Sequence, residues 1–282
     1  MSPRSWSVAK WLWTKFAGKK TAESLILLLS RIADINLLIF AYNQLGILKY
    51  ENSYVSGEQH VIKQILKEKF NQQNVIFFDV GANRGDYSQE LRAEFPQAEI
   101  FAFEPNPHTF TTLTSNLESP KDHCYCLGLA DKVGCQTIYT YENEIDSQHA
   151  SIYKEIFLDL HHANNLVNTD IQLTTIDEFC RKNDVKRIDF LKIDVEGYEL
   201  DVLKGAKQML EENRIRIIQF EFNATHVFSR VFLRDFYLLL TDYELYRIDT
   251  GNLIHLPIYD TANEIFQFQN FLAIHKHQMS VN

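Results

Sequence analysis

Three ionisable residues, Lys192, Asp194 and Glu196, occupy every second position at the end of Ile188–Val195 and the Glu196-Gly197 turn that follows. Alternate residues of a strand share a face, so the three would project together. Charge buried at the end of an apolar strand is costly unless the groups offset one another, and a lysine between two carboxylates does so. A cluster of this kind can orient a substrate hydroxyl and take its proton. Further candidates for the base are His149, His161 and His162, and Lys192 itself if burial lowers its pKa. Gln219, Glu221 and Asn223 alternate in the same way at the end of Ile215–Phe222, and Glu221 would stand beside Asp194 if the two strands pair. Asp194 and Glu221 offer the oxygen ligands that suit Mg²⁺, although nothing in the pattern requires a metal. The structural alternative is an ion-pair cluster tying the strand to Arg187 or Lys204.

A second constellation lies upstream. Asp79-Val80-Gly81-Ala82-Asn83-Arg84-Gly85 follows an apolar run, and Glu104-Pro105 follows the next one. Small residues after a strand let the chain turn sharply into a helix and let a ligand approach the backbone. An acid after the second strand can accept both hydroxyls of a ribose, because a carboxylate offers two acceptor oxygens. Together they point to a nucleoside site. The turn is not the dinucleotide fingerprint G-x-G-x-x-G, since Asn83 stands where its second glycine belongs, and this argues against a nicotinamide dehydrogenase. No Walker phosphate loop is present.

The elements that would hold these residues alternate. Val75–Val80, Glu99–Phe103, His123–Leu129, Ile188–Val195 and Ile215–Phe222 read as buried strands. Tyr87–Phe95, His108–Leu117 and Glu199–Glu212 read as helices between them. The spacing predicts a further helix over Val231–Leu240 and closing strands over Glu244–Ile248 and Phe271–His275. Thr137–Tyr141 reads as an added strand, and Asp146–Asn168 as a polar loop with a short helix. This pattern means a parallel sheet covered on both faces, with ligands beyond the carboxyl ends of its strands.

The chain has 282 residues, 45% hydrophobic and 23% charged, as expected of a globular protein. Its formal charge of −9 argues against a nucleic-acid partner. Four cysteines without C-x-x-C spacing suggest neither a disulfide scaffold nor a zinc site. No run of 18 apolar residues occurs, and Leu25–Leu29 is short for a signal-peptide core, so a cytoplasmic location is expected. The first twenty residues stand apart. They carry Arg4, Lys10, Lys15, Lys19 and Lys20, no acid, and all three tryptophans, Trp6, Trp11 and Trp13. A basic, Trp-bearing helix can lie on an anionic membrane, and can equally dock on protein. The expected division is a helical extension over 1–56 and a main domain over 57–282.

The blocks FFDVGANRGDYS, FAFEPNP, LTTIDEF, FLKIDVEGYELDVLKGA and IQFEF follow one another in a way that resembles the FkbM-type S-adenosylmethionine-dependent methyltransferases. The resemblance runs from about Gly57 to Ile274. It implies an α/β class I methyltransferase (Rossmann-like) fold: seven strands, mostly parallel, with an antiparallel last strand. It implies that Asp79, Gly81, Asn83 and Gly85 line the methionine part of the cofactor, that Glu104 holds the ribose hydroxyls, and that Asp131, in GLADKVG, faces the adenine. The implied reaction is O-methylation of a sugar hydroxyl in a glycan, lipopolysaccharide or glycosylated metabolite. Tyr139, Tyr141 and Tyr153 could stack on such a sugar, and Asp146, Ser147 and Ser151 could hydrogen-bond it. The alternative is a non-catalytic S-adenosylmethionine-binding scaffold that docks a partner or membrane through its basic arm.

Overall fold

A computed structural model describes residues 19–70, 74–141, 150–160 and 165–278. The arm over residues 1–18, together with Asp146, Ser147, His149, His161 and His162, falls outside the described residues. Contacts divide the chain into two units, Met1–Leu45 and Gly46–Asn282. Residues 46–56, grouped with the extension on sequence grounds, belong by contact to the second unit. Leu48 donates its N–H to the carbonyl of Phe268 (2.8 Å), Lys49 pairs with Asp249, and the Thr250 hydroxyl donates to the carbonyl of Val55 (2.5 Å). Gly46 and Gly57 both have positive φ and pass so close to the Ile248–Asp249 backbone that a Cβ would overlap it.

In the first unit, Lys19–Ile32 and Leu37–Gln44 are helices. Asn36 starts the second by accepting the N–H groups of Leu38 and Ile39 (3.0 and 3.3 Å). No helix among the described residues is both long and apolar enough to cross a bilayer alone.

Among the described residues the second unit has eleven strands: β1 (Ile76–Val80), β2 (Glu99–Phe103), β3 (Asp122–Tyr125), β4 (Gly128–Leu129), β5 (Gly134–Tyr141), β6 (Leu166–Thr174), β7 (Ile188–Ile193), β8 (Ile215–Phe222), β9 (Tyr243–Asp249), β10 (Asn252–His255) and β11 (Gln269–His275). Eight form one sheet in the order β3-β2-β1-β7-β8-β11-β9-β10. Strands β3, β2, β1, β7 and β8 pair in parallel, and β11 runs antiparallel to both β8 and β9. The expected mostly parallel sheet with an antiparallel last strand is therefore present. It has an eighth member, because the chain folds back after β9 at Thr250-Gly251 to add β10.

Alternation along these strands splits the core in two. Phe78, Leu191 and Ile218 pack on one face with Phe103 and Phe236, while Phe77, Phe190 and Ile217 pack on the other with Phe70 and Leu272. Each such side chain removed from water contributes about 1.5–3 kcal/mol before entropy is charged against it. β7 is buried at all six positions, including Asp189 and Lys192. Asp189 is answered by Arg187 and Arg216, each at 3.0 Å, and by the N–H of Ile76 (2.9 Å).

The expected third strand, His123–Leu129, divides. Asp122–Tyr125 pairs with β2, whereas Gly128–Leu129 pairs with β6 in a separate sheet of order β4-β6-β5. Gly128 sits at this departure, where a Cβ would lie 2.6 Å from Leu173 Cδ2. β6 lay unrecognised, because Leu166–Thr174 alternates polar and apolar residues only over its second half. The single helix expected over Glu199–Glu212 is two, Glu199–Lys204 and Lys207–Glu211, broken at Gly205 against the carbonyl of Ala130.

Candidate active site

Strand order reverses between β1 and β7, the position at which open α/β sheets place a ligand crevice. The two strands end level, Val80 opposite Ile193, and the N–H of Asp194 donates to the carbonyl of Val80 (2.9 Å). A cleft of about 1210 Å³ opens beyond them.

One wall is the turn after β1. Gly81 has φ +79°, and a Cβ there would overlap the carbonyl oxygen of Asp194, so only glycine lets the two strand ends meet. Asn83 is also left-handed (φ +49°), a conformation asparagine tolerates better than most residues. Gly85 (φ +90°) begins the helix Asp86–Glu94, and its bare Cα faces Leu113 and Leu117. Glu104, 6% exposed, faces this turn from the end of β2. Its Oε2 accepts the N–H of Asn83 (3.0 Å) and its Oε1 accepts the N–H of Asn106 (2.8 Å). Both oxygens are thereby fixed, each with a lone pair left over. Burial raises its pKa from 4.5 to about 7, against the pull of those two N–H groups.

The opposite wall is ionic. Lys192, 6% exposed, lies 3.1 Å from Asp194 Oδ2 and 3.7 Å from Asp79 Oδ1, with its ammonium 5.1 Å from the centre of the Tyr87 ring. Burial alone would lower its pKa. The charges of Asp194, Asp79 and Glu58 outweigh that and hold it above the ordinary lysine value. Lys192 is thus a fixed cation, and the reading of it as a base is corrected. It is paired with Asp79 and Asp194, while Arg187 pairs with Asp189 and Lys204 with Asp201. Asp79 is fully buried, and its Oδ2 accepts the Ser88 hydroxyl (2.6 Å).

Strand alternation carries Lys192 and Asp194 into the cleft but not Glu196. Glu196 reaches it through a left-handed turn (φ +54°), and Val195 lines the cleft as well. The turn is held from below by Glu199, whose carboxylate accepts the N–H groups of Val195 (3.0 Å) and Gly197 (3.0 Å). Glu199 is 3.1 Å from His226 Nε2, without the alignment of a hydrogen bond. Glu221 lines the cleft beside Asp194, as strand pairing anticipated, with Asn223 donating to it. Burial, then the charges of Asp194, Glu196 and Glu199, push its pKa well above the usual carboxylate value.

Sequence reasoning missed Glu58 and Glu90, which reach the cleft from helices outside the sheet. Glu58 accepts from Ser56 Oγ (3.0 Å) and Gln219 Nε2 (3.2 Å). No motif marks either residue. Three other expectations land elsewhere. Asp131 is exposed and is not among the residues lining the cleft. Tyr139, Tyr141 and Tyr153 do not line it either, although Tyr198 does. Ser151 does line it, but its hydroxyl is committed to the carbonyl of Glu196 (3.0 Å).

The lining can be compared with the chemistry of S-adenosylmethionine. A ribose diol needs two aligned acceptors, and Glu104 presents them. An α-ammonium needs anionic acceptors, and Glu90 Oε2 is buried without a hydrogen-bond partner in the cleft wall, as is Asp79 Oδ1 behind it. The residues present fit this group. No set of three or more His, Cys, Asp or Glu that could hold a metal occurs among the described residues, so the Mg²⁺ expectation gains no support.

A sheet that reverses at β1/β7, returns through an antiparallel β11 and carries a glycine turn and an acid at consecutive strand ends is that of the class I methyltransferases. The family model of the methyltransferase FkbM domain matches residues 79–248, and the chain belongs to that family. Among relatives, it is 30% identical over 167 residues to hexuronic acid methyltransferase AglP of Haloferax volcanii, covering 58% of this chain and 62% of that protein. It is 24% identical over 147 residues to 2-O-methyltransferase NoeI of Sinorhizobium fredii, covering 49% of this chain and 60% of that protein. The chain thus spans about three fifths of the curated relatives it matches. Among solved structures, plantazolicin methyltransferase BpumL in complex with SAH is 11% identical with a TM-score of 0.43, covering 80% of this chain and 86% of that one. The strand order, not that score, defines the fold.

Proposed function

We propose that the protein is an O-methyltransferase that uses S-adenosylmethionine to methylate a sugar hydroxyl. The observation that carries this reading is Glu104, its two oxygens held at fixed angles by Asn83 and Asn106 across from the Gly81 turn. Bound there, S-adenosylmethionine supplies an electrophilic methyl group and its own leaving group. Glu104 would hold the ribose, the Gly81–Gly85 turn would line the methionine portion, and Glu90 would face the ammonium.

The chain must then place an acceptor oxygen in line and remove its proton. Asp194 and Glu221, neighbours at the ends of β7 and β8, are the carboxylates disposed to take it. Lys192 keeps Asp194 in place and offsets the buried Asp79. Glu199 fixes the Val195–Gly197 backbone so that Glu196 faces the acceptor. The sugar class is supported by two relatives, one named for hexuronic acid methylation and one for 2-O-methylation.

The test begins with calorimetric titration of S-adenosylmethionine, and separately NAD, into wild type and Glu104→Ala. Binding of the first alone, lost in the variant, is expected. Formation of S-adenosylhomocysteine with uronic-acid glycosides, with and without EDTA, then tests turnover and metal dependence. Cofactor binding without turnover on any hydroxyl acceptor would favour the scaffold reading. Failure of folded wild type to bind S-adenosylmethionine would remove both.

A further inference from the structure

We propose that residues 19–44 are a membrane-docking hairpin that seats in one leaflet of an anionic bilayer. The inference is independent of the methyl-transfer reading. It goes beyond surface contact by residues 1–20, because it assigns insertion to the two helices that follow.

The first observation is how the apolar residues are exposed. Leu25, Ile26, Leu27, Leu28 and Leu29 are consecutive in the helix Lys19–Ile32, and each is 40–55% exposed. Five consecutive helical residues sweep the whole circumference, at about 100° apiece. A protein groove or a second copy covers one stripe of a helix, whereas a fluid apolar medium surrounds it. The second helix repeats the pattern, with Leu38, Ile39 and Phe40 exposed in succession.

The second observation is that the Ser30 hydroxyl and the backbone at the bend find partners within the two helices, while the charged Arg31 and Asp34 beside them are exposed. Ser30 Oγ donates to the carbonyl of Leu27 (2.9 Å), Ile35 donates its N–H to the carbonyl of Ser30 (2.8 Å), and Asn36 caps Leu38 and Ile39.

The third is length and charge. Fourteen residues rise about 21 Å, short of the ~30 Å hydrocarbon core, and the two helices are bent by 101° at their junction. This geometry suits a hairpin entering one leaflet better than a span. Residues 1–20 hold five cations and no acid in a chain of net charge −9, with Lys19 and Lys20 opening the first helix, and hold all three tryptophans. Lysine and arginine are drawn to anionic headgroups, and tryptophan favours the headgroup boundary. A second copy would instead bring two such cationic leaders together.

Because every tryptophan lies in the first twenty residues, tryptophan emission of the full chain reports this segment alone. The experiment adds vesicles of 3:1 phosphatidylcholine to phosphatidylglycerol, or of phosphatidylcholine only, and reads emission and co-sedimentation. Expected is a blue shift and sedimentation with the anionic vesicles, at least tenfold weaker with phosphatidylcholine. In Leu27→Asp/Leu28→Asp, whose sites are exposed and whose folding is checked by circular dichroism, sedimentation should fall at least tenfold. Unchanged vesicle binding in that variant would place the contact in the basic arm alone and overturn the insertion. No binding by wild type overturns it outright, as does a concentration-dependent dimer that the same double substitution abolishes.

Discussion

Replacing Glu104 by glutamine separates what the unliganded fold prefers from what a ribose would need. Its pKa rises from 4.5 to about 7 on folding, chiefly through burial. A carboxyl with a raised folded-state pKa contributes stability that is fully present below the unfolded value and is lost as pH rises through the folded one. Between pH 5 and pH 8 these two values remove about 2.5 kcal/mol from wild type, most of it before pH 7. Glutamine has no such titration. Its amide does set a donor against the N–H of Asn83 or Asn106, a penalty of about 1–3 kcal/mol that is constant with pH. The assay is urea unfolding of wild type and Glu104→Gln at pH 5, 6, 7 and 8. The difference in stability between the two should move by about 2.5 kcal/mol in favour of the variant, roughly 1 M in midpoint at a slope of about 2–3 kcal/mol/M. Taking the difference cancels Glu58 and Glu221, whose carboxyls are also raised. The proposed cofactor supplies the counterpart. It needs the carboxylate, so wild-type affinity should fall about tenfold from pH 8 to pH 6 while the variant stays weak throughout. A stability difference flat with pH would show that Glu104 titrates normally, and the burial argument would be refuted.

Other substitutions test the remaining walls. Gly81→Ala places a methyl on the Asp194 carbonyl at a φ that disfavours alanine, and should cost on the order of 2–4 kcal/mol; an unchanged melting temperature would contradict the close approach. Lys192→Met leaves the fully buried Asp79 without its cation, and should cost about 3–5 kcal/mol near neutral pH. An unchanged urea midpoint would argue that the pair is not what the lysine provides. Asp194→Asn and Glu221→Gln should each leave S-adenosylmethionine affinity within a few-fold. The one that removes the base should lower turnover by about 10²–10⁴ and abolish the acid limb of the pH–rate profile. If both retain full turnover, neither carboxylate takes the proton.

The sheet and its ligand end were legible in the sequence because they rest on local, repetitive chemistry. Apolar runs of five to eight residues alternating with helical patterns permit little besides a covered parallel sheet. Glu99–Phe103 and Ile215–Phe222 were delimited to the residue. The turn after β1 and the acid after β2 follow from the same logic, since glycine and a carboxylate at consecutive strand ends have few other uses. Alternation also predicted that Lys192 and Asp194 would meet, because period two survives to the last strand residue. It failed at Glu196, where a left-handed turn replaces the pleat.

Whatever depended on distant segments meeting had to wait for the tertiary structure. The sign of the Lys192 shift is set by Asp79, Asp194 and Glu58, residues from three different elements, so the sequence left both directions open. Glu90 and Glu58 became cleft residues only when their helices packed beside the sheet. The split of His123–Leu129 between two sheets rests on Gly128 pairing with Leu173, residues 45 positions apart. The apolar run Leu25–Leu29 carries no sign of its surroundings in the sequence, and the fold leaves it exposed. Local periodicity fixes which residues can share a face. Burial, charge and pKa are sums over neighbours in space, and those neighbours exist only once the chain has folded.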